Sequence, residues 1–259
     1  MKIVIERDSI AKINMLLNLC PDTFPFVPLK FYIDFDNGNS YASIETVDIN
    51  GDIIFSGRVT IDPLELQPGT GMVVRLPMNK TIINTIFGSA FDKLEISKNK
   101  INAKAKNKNI SVAMYQLSED DILEFPYDNI SIFNLAVQEN KLGTVEYCKF
   151  EVEPKELRDL LDCIDILSSP EFVIFSADSG GKLSVGCDDH SGNEVEYEFE
   201  TISNSDFLAK YDMNLVKIMN KVSRTKDFKV DVLISNILAA FTLEKDDSQI
   251  TIAVTAQKL

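Results

Sequence analysis

One order of predicted elements occurs twice along this chain of 259 residues, and that repeat restricts the fold more than any other feature. Each copy has a strand, an amphipathic helix, several strands, a second helix and three further strands. The copies cover residues 1–117 and 135–259, and residues 118–134 between them read SEDDILEFPYDNISIFN. This stretch is acidic and lacks a regular period, so it is predicted to be a linker. The sequence therefore predicts two similar α+β domains.

Four helices are predicted where apolar residues recur at helical spacing. They cover about 8–20, about 78–90, a segment that starts at Pro154, and about 212–223. Asp8 or Ser9 is predicted to cap the first helix, and Gly88 to end the second. The side chains predicted to face inward are Ile10, Ile13 and Leu17; Ile82, Ile83, Ile86 and Phe87; Leu157, Leu160, Leu161 and Ile164; and Leu215, Ile218, Met219 and Val222.

Strands are predicted where apolar and polar side chains alternate, as in SYASIETV (40–47) and DIIFSGRVTI (52–61). The intervening DING (48–51) and the earlier DNGN (36–39) are typical hairpin turns. Neighbouring strands are therefore expected to pair antiparallel.

The sequence lacks the residue patterns of the common catalytic and metal chemistries. Cys20, Cys148, Cys163 and Cys187 form no CxxC pair, which is typical of reduced structural thiols. The single histidine, His190, lies in CDDHSGN, and a hairpin turn is a better interpretation than a metal site because no second ligand cluster exists. The glycine-rich GTG and SGGK lack the spacing of a phosphate loop. We therefore predict no enzyme, no metal and no cofactor.

The charge of the chain limits how it can meet nucleic acid. The formal net charge is −14, so on average the protein repels phosphate, and any contact with DNA requires a locally basic surface. At the amino terminus, charges interrupt the apolar run after four residues, which predicts neither a signal peptide nor a membrane span. We therefore expect an intracellular protein, in the cytoplasm or nucleoid, or in the nucleus of a eukaryotic host.

The order of elements, together with three local segments, resembles the DNA sliding clamps of the proliferating cell nuclear antigen and T-even phage type. The segments are FEVEPKELRDLLDCIDIL (150–167), EFVIFSADSGGKLSVGCDDHSGN (171–193) and TIAVTAQKL (251–259). The resemblance covers essentially the whole chain. It implies a two-domain clamp fold with pseudo-repeated domains, antiparallel sheets outside and four helices lining the inner face.

That resemblance also implies a function. The chain would be a processivity factor, a homotrimeric ring that encircles duplex DNA without reading its sequence and tethers a DNA polymerase. An ATP-dependent clamp loader would place it on DNA. Two alternatives remain open: an acidic structural or scaffold β-protein, such as a virion component, and a carboxylate-based hydrolase.

In such a ring the inner helices must be basic enough to tolerate the duplex. The third helix mixes its cations with Glu156, Asp159 and Asp162, so an ordinary solvated face held by i,i+4 pairs remains an equal alternative there. The same alternative is open for the other helices. The residues implied to contact DNA are Lys12, Lys80, Lys155, Arg158, Lys217, Lys221 and Arg224.

The resemblance further implies an apolar pocket that captures peptides of partner proteins. The alternative is that these side chains only pin the linker to the sheet. Gln257 stands where cellular clamps usually have proline, which puts the peptide preference of the pocket in question. The residues nominated by position are Ala42, Ile44, Ile122, Leu123, Phe125, Ile130, Val254 and Ala256.

Residues 98–109, KNKINAKAKNKN, form a lysine run inside this acidic chain. Alternation places its lysines on the sheet face opposite the helices, as it does the glutamates of EVEYEFE (194–200). The resemblance implies that NISVAMYQL (109–117) of one subunit pairs with EVEYEFE of the next, so the two ladders would help to register the subunits. A lysine-rich edge that discourages aggregation is the alternative. The predicted interface residues are Lys104, Lys106, Ser111, Ala113, Tyr115, Glu194, Glu196, Tyr197 and Glu198.

Overall fold

The structure is a computed structural model that describes residues 2–48, 50–66, 70–88, 90–97, 100–105, 108–112, 124–126, 147–167, 170–188, 194–203, 206–246 and 248–257. The chain divides into two compact units. The first contains Met1–Thr46 and Phe55–Ile132, and the second contains Val47–Ile54 and Phe133–Leu259. Most of the predicted linker lies outside the described residues, so the predicted domain boundaries stay predictions.

The first unit contains two antiparallel sheets and two helices. In one sheet the order is β1-β6-β7-β8, and in the other the strands of this unit follow the order β4-β3-β2-β5-β9. The elements are β1 (Lys2–Glu6), α1 (Arg7–Leu19), β2 (Phe26–Ile33), β3 (Ser40–Val47), β4 (Ile53–Ile61), β5 (Thr70–Pro77), α2 (Lys80–Ile86), β6 (Lys93–Ser97), β7 (Lys100–Ala105), β8 (Lys108–Val112) and β9 (Glu124–Pro126).

The second unit repeats this arrangement. Its sheets have the orders β13-β12-β11-β15 and β14-β10-β16-β17-β18. The elements are β10 (Tyr147–Val152), α3 (Pro154–Ile164), β11 (Phe172–Ala177), β12 (Lys182–Asp188), β13 (Glu194–Glu200), β14 (Ile202–Ser203), β15 (Phe207–Asp212), α4 (Met213–Ser223), β16 (Lys229–Ser235), β17 (Leu238–Lys245) and β18 (Ser248–Thr255). Four helices and antiparallel pairing were both predicted from the sequence.

Each helix buries an apolar stripe, as its periodicity predicts. Ile10, Ile13 and Leu17 of α1 are at most 1 % exposed. The corresponding stripes of α3 and α4 are also buried, and Phe87 lies buried just after α2. Ile82 differs, because it is only half-buried. Burial of these side chains contributes most of the stability of such a fold, at about 25 cal/mol per Å² of apolar surface.

The start of α1 differs from the prediction. Glu6, and not Asp8 or Ser9, is the N-cap residue, and its side chain makes no capping hydrogen bond. Ser9 lies in the first turn, where its Oγ donates to Asp62 Oδ2 (2.7 Å) and accepts from the Asp62 amide (2.8 Å). The hydroxyl is buried and satisfies a tertiary partner, so it is not available to the helix end.

The second helix is shorter than predicted. Asn79 caps it by accepting from the amides of Thr81 (2.9 Å) and Ile82 (3.2 Å), so α2 starts at Lys80 and not at 78. It ends at Ile86, just before Gly88. A Cβ at Gly88 would lie 2.2 Å from the Asn84 carbonyl oxygen, so only glycine fits this close turn.

The hairpin turns follow the sequence signals. Gly38 in DNGN and Gly51 in DING have φ angles of +70° and +79°, in the left-handed region that glycine adopts without strain. The predicted turn around His190 lies outside the described residues. No helix in the described ranges is long and apolar enough to cross a membrane.

The four cysteines are free thiols in the described structure. Cys20, Cys148 and Cys187 are buried, and Cys163 is half-buried. Burial raises the pKa of Cys148 to about 12, so this thiol stays protonated and behaves as a small apolar side chain.

Candidate functional site

Helix α4 presents a basic face to solvent. Lys217, Lys221 and Arg224 follow one another at spacings of four and three residues, so they share one side of the helix. That side is opposite the buried stripe that includes Leu215 and Ile218. The helix contains no acidic residue. Lys217 Nζ donates to the Asn214 side chain at 3.2 Å, a neutral partner that leaves the charge uncompensated.

The lysines of α1 and α2 are engaged within their own unit. Lys12 lies on the flank of α1, and its Nζ donates to the Thr60 carbonyl at 3.0 Å. Lys80 Nζ lies 2.6 Å from Asp22 Oδ2, with both side chains at least half exposed. Exposed contacts of this kind are worth only about 0–1 kcal/mol, so phosphate can compete for both ammonium groups. Their contact with DNA stays a prediction.

Helix α3 is the least basic of the four. Lys155, Arg158, Asp159 and Asp162 are exposed on it, opposite the buried stripe. Neither the Lys155–Asp159 nor the Arg158–Asp162 ion pair suggested by the i,i+4 spacing is formed between these described side chains. Arg158 Nη2 instead donates to the carbonyl of Ser223, the last residue of α4, at 2.8 Å. The third helix therefore offers phosphate one exposed lysine and one exposed arginine, which already donates to Ser223, among carboxylates.

The helices are nevertheless the basic part of the chain. Counted by sequence, the formal charge is +1 on α1, +1 on α2, −1 on α3 and +2 on α4. They therefore carry +3 together, whereas the whole chain carries −14. The rest of the chain carries −14 − 3 = −17, although the lysine run 98–109 alone carries +5, so a polyanion meets less repulsion at the helices than over the chain on average.

Both strands predicted at the subunit interface lie at the edge of a sheet. Among the described strands, β8 has only β7 as a neighbour, and β13 has only β12. An edge strand carries a row of N–H and C=O groups that can pair with another chain. Sequence periodicity predicts strands but not which of them is an edge, so this placement comes from the topology.

The two faces of β13 differ as predicted. Glu196 and Glu198 are exposed, whereas Val195, Tyr197 and Phe199 are half-buried on the other face. The Tyr197 and Phe199 rings lie 4.8 Å apart. Desolvation, and then the nearby carboxylates of α3, raise the pKa of Tyr197. A half-buried apolar row beside an open strand edge is a surface that a second chain can cover.

Lys104 is paired within its own sheet. Its Nζ lies 2.9 Å from Glu95 Oε1, and Lys2 Nζ lies 3.0 Å from Glu95 Oε2. Ile101 and Ala103 are buried and Lys104 is exposed, as the alternation predicted. Of the other predicted interface residues, Ser111 is described only as the backbone partner of Asn102. Lys106, Ala113 and Tyr115 lie outside the described residues, and the side chain of Glu194 is not described.

The Lys2–Glu95–Lys104 cluster predicts a pH dependence of stability. The hydrogen bond from Lys104, followed by that from Lys2, lowers the pKa of Glu95 from 4.5 to about 2. Because the folded pKa is depressed, the stabilisation is complete above about pH 4.5 and is lost as the pH falls toward 2. Glu95→Gln is expected to lower the free energy of unfolding at pH 7 by roughly 1 kcal/mol, since both lysines are half exposed.

Urea unfolding at several pH values measures this effect. The difference between the variant and the wild type should vanish as the pH is lowered from 4.5 toward 2. Glu198→Gln is the matched control, since Glu198 has one ion-pair partner, Lys182, at 2.9 Å. An equal difference in the free energy of unfolding between Glu95→Gln and the wild type at pH 7 and at pH 2 would contradict the role assigned to Glu95.

Three residues nominated for the partner pocket are buried. Ala42 and Ile44 in β3 are 0 % exposed, and Val254 in β18 is 1 % exposed. They belong to the core, so a bound peptide cannot touch them in this conformation. Phe125 is described only as the β9 backbone partner of Gly71. Ile122, Leu123 and Ile130 lie outside the described residues.

A small exposed apolar surface lies instead around the carboxyl-terminal tail of the second unit. The Ala256 amide donates to the Ile237 carbonyl, and the Gln257 amide donates to the Lys210 carbonyl, both at 2.7 Å. Ile237 is 51 % exposed, and Leu208, two residues before Lys210, is 46 % exposed. We call Leu208, Ile237 and the half-buried Ala256 the tail patch.

Sequence reasoning nominated Ala256 but missed the other two residues of the tail patch. The available signals were weak. Leu208 alternates with buried Phe207 and Ala209 in FLAKYD, and Ile237 is an apolar residue inside a turn. The hydrogen bonds of the tail place Ile237 beside its last described residues, and they place Leu208 two residues from Lys210, which bonds to the tail.

Sequence comparison finds no relative: no protein-family model matches the chain, and no curated protein matches it. Solved structures do match. Proliferating cellular nuclear antigen from Entamoeba histolytica superposes with a TM-score of 0.69 at 9 % identity, over 99 % of this chain and 98 % of that one. The nuclear antigen of A. fulgidus bound to the C-terminal region of FEN-1 gives 0.67 at 10 % identity, over 100 % and 98 %. The PCNA2–PCNA3 complex of Sulfolobus tokodaii gives 0.65 at 12 % identity, over 99 % of each chain.

These superpositions extend over nearly the whole chain, so the architecture is that of the sliding clamps. The two-domain clamp fold that the resemblance implied is confirmed. At identities of 9–12 %, the agreement lies in the order and packing of elements and not in individual side chains.

Proposed function

We propose that this chain is a DNA sliding clamp, a processivity factor that encircles duplex DNA and tethers a polymerase. The observation that carries the proposal is the basic face of α4, within helices that carry +3 in a chain of −14, on a clamp fold. Phosphate is the ligand that such a face attracts, and attraction between lysine and phosphate does not depend on the base sequence.

The charge distribution suits a ring that holds DNA loosely. Three copies would carry −42, so the ring repels nucleic acid on average and the basic helix faces are where a duplex would be tolerated. Few cations per subunit give weak, salt-dependent contacts, which let a closed ring slide along the duplex. The ring is then held on DNA because it encloses the duplex, and not because of the energy of its contacts with phosphate.

The two edge strands support a head-to-tail assembly. We expect β8 of one subunit to pair with β13 of the next, which would continue one sheet across the interface and cover Tyr197 and Phe199. Pairing of two different edges is heterologous, and such an interface forms a closed ring when the rotation between subunits closes. We propose a homotrimer, since two-domain clamp subunits complete a six-domain ring in threes.

The tail patch is our proposal for the site that holds partner proteins. Exposed apolar side chains next to hydrogen-bonded tail backbone suit a short extended peptide with apolar anchors. In one structural neighbour, the C-terminal region of FEN-1 is bound to the nuclear antigen, which supports a peptide-capturing role. A DNA polymerase and an ATP-dependent loader are the partners that a clamp requires. No observation favours the scaffold-protein alternative.

Two measurements test the proposed function. Light scattering should give three times the 29.0 kDa mass of the chain. After incubation with a clamp loader and ATP, the protein should remain on nicked circular DNA and leave when the circle is cut. A stable monomer that is retained equally on circular and linear DNA would overturn the proposal.

The tail patch gives a separate prediction. Ile237→Glu is expected to reduce the binding of C-terminal peptides of replication polymerases by about tenfold or more, because a charge replaces a half-exposed apolar anchor. Fluorescence anisotropy with labelled peptides measures this. Val47→Glu, a change at an apolar residue of similar exposure (40 %) outside the patch, is the control. Equal binding by wild type and Ile237→Glu would reject the tail patch as the peptide site.

A further inference from the structure

The guanidinium of Arg158 is exposed and also bonds to another helix of the same unit. It lies on α3, and its Nη2 donates to the Ser223 carbonyl at the end of α4, 2.8 Å away and 65 residues later in the chain. A hydrogen bond from a charged donor is stronger than one between neutral groups. The contact therefore ties the carboxyl-terminal turn of α4 to the side of α3.

This contact completes the hydrogen bonding of the α4 terminus. The last four carbonyls of a helix have no partner within it and must find one elsewhere. Here each of them accepts a hydrogen bond. The pairs are Asn220 O with Ser223 Oγ (2.9 Å), Lys221 O with the Arg224 amide (3.3 Å), Val222 O with the Thr225 amide (3.0 Å) and Oγ1 (2.7 Å), and Ser223 O with Arg158 Nη2 (2.8 Å).

The turn held by Arg158 carries two of the three cations of the α4 face. Lys221 and Arg224 flank Ser223, and Lys217 lies one turn earlier. A cation at a helix carboxyl terminus is also stabilised by the negative end of the helix dipole. Without Arg158, the terminus would keep its basic side chains close together and lose the contact that orders them.

We propose that Arg158 is a positioning residue that fixes the last turn of α4, so that Lys221 and Arg224 stay in line with Lys217. It acts through α4 and does not itself contact phosphate, in contrast to the role that the resemblance implied for it. The consequence for DNA rests on the proposed clamp function, whereas the contact between α3 and α4 does not depend on that function.

Hydrogen exchange without DNA tests the positioning role directly. The probes are the amides of Arg224 and Thr225, which close the last turn of α4. Arg158→Met should speed their exchange by roughly tenfold or more, since it leaves the Ser223 carbonyl without its donor. Arg158→Lys, which keeps a long charged donor, should retain most of the protection. Lys155→Met removes the same charge from the same helix and should change nothing at these amides.

Loading onto nicked circular DNA completes the test. Arg158→Met is expected to lower loading, with Lys217→Met as the reference for loss of a phosphate contact. Unchanged exchange in Arg158→Met overturns the inference, and so does faster exchange with normal loading when Lys217→Met lowers loading. If Lys217→Met and Arg158→Met both load normally, the proposed DNA function fails, whereas a changed exchange rate would still establish the contact.

Discussion

Lys217→Glu combined with Lys221→Glu is expected to lower the amount of protein loaded on nicked circular DNA by at least about tenfold at physiological salt. The two reversals change the charge by −4 per subunit and by −12 per proposed trimer, on a helix that has no acidic residue. A ring whose basic face has become acidic must close around a polyanion against repulsion. The remaining loading should rise as the salt concentration is raised, since salt screens that repulsion.

The control places the same charge change elsewhere. Lys182→Glu with Lys229→Glu also adds −4 per subunit, on strands β12 and β16. Both lysines form exposed ion pairs, with Glu198 and with Glu151, so their loss costs little stability. Equal loss of loading in both double variants would show that total charge matters and not the α4 face, and would reject the proposed DNA contact.

Proline in β8 is expected to convert the proposed trimer into folded monomers. Along an edge strand, successive amides point alternately into the sheet and toward the open edge. Proline removes the amide hydrogen and blocks close pairing on that side. Single prolines at Ile110, Ser111 and Val112 should therefore separate into two classes. Those whose amide faces β7 lower the melting temperature, and those whose amide faces outward keep the fold and abolish assembly.

Light scattering and thermal unfolding of the three variants distinguish these outcomes. At least one variant should have a mass of 29.0 kDa, that of a single subunit. The same variant should melt at the temperature of a folded, isolated wild-type subunit. Proline at Phe26, the exposed first residue of β2, serves as a strand control away from the two edges. Trimers in every folded β8 variant would exclude this edge from the interface.

Strong local periodicity made much of the fold predictable. Leu157, Leu160, Leu161 and Ile164 repeat at the helical spacing after Pro154, and they form the buried stripe of α3. Alternation placed Ile101 inward and Lys104 outward in the same way. The errors occurred at element ends. Ser9 looked like a cap but is bound to Asp62, a residue 53 positions away that no local pattern includes.

The candidate site was predictable only in part. The lysines of α4 follow from spacing alone, because a helix with one apolar stripe must expose its other side. Burial of Ala42 and Ile44 was not predictable, because the alternation in β3 does not show what covers each face, and in the structure Tyr41 and Ser43 on the other face are buried as well. The partners of Lys12, Lys80 and Lys104 also required the structure, because each lies on another element.

The sequence by itself determined the repeated domains, the buried stripes, the acidic chain and the basic helices, since these depend on side chains a few residues apart. The tertiary structure decided how the charges are used. It paired Lys104 with Glu95, turned Arg158 toward the end of α4, and left β8 and β13 as open edges. The physical reason is that ion pairs, helix caps and strand edges join groups far apart in sequence, and only folding brings those groups within bonding distance.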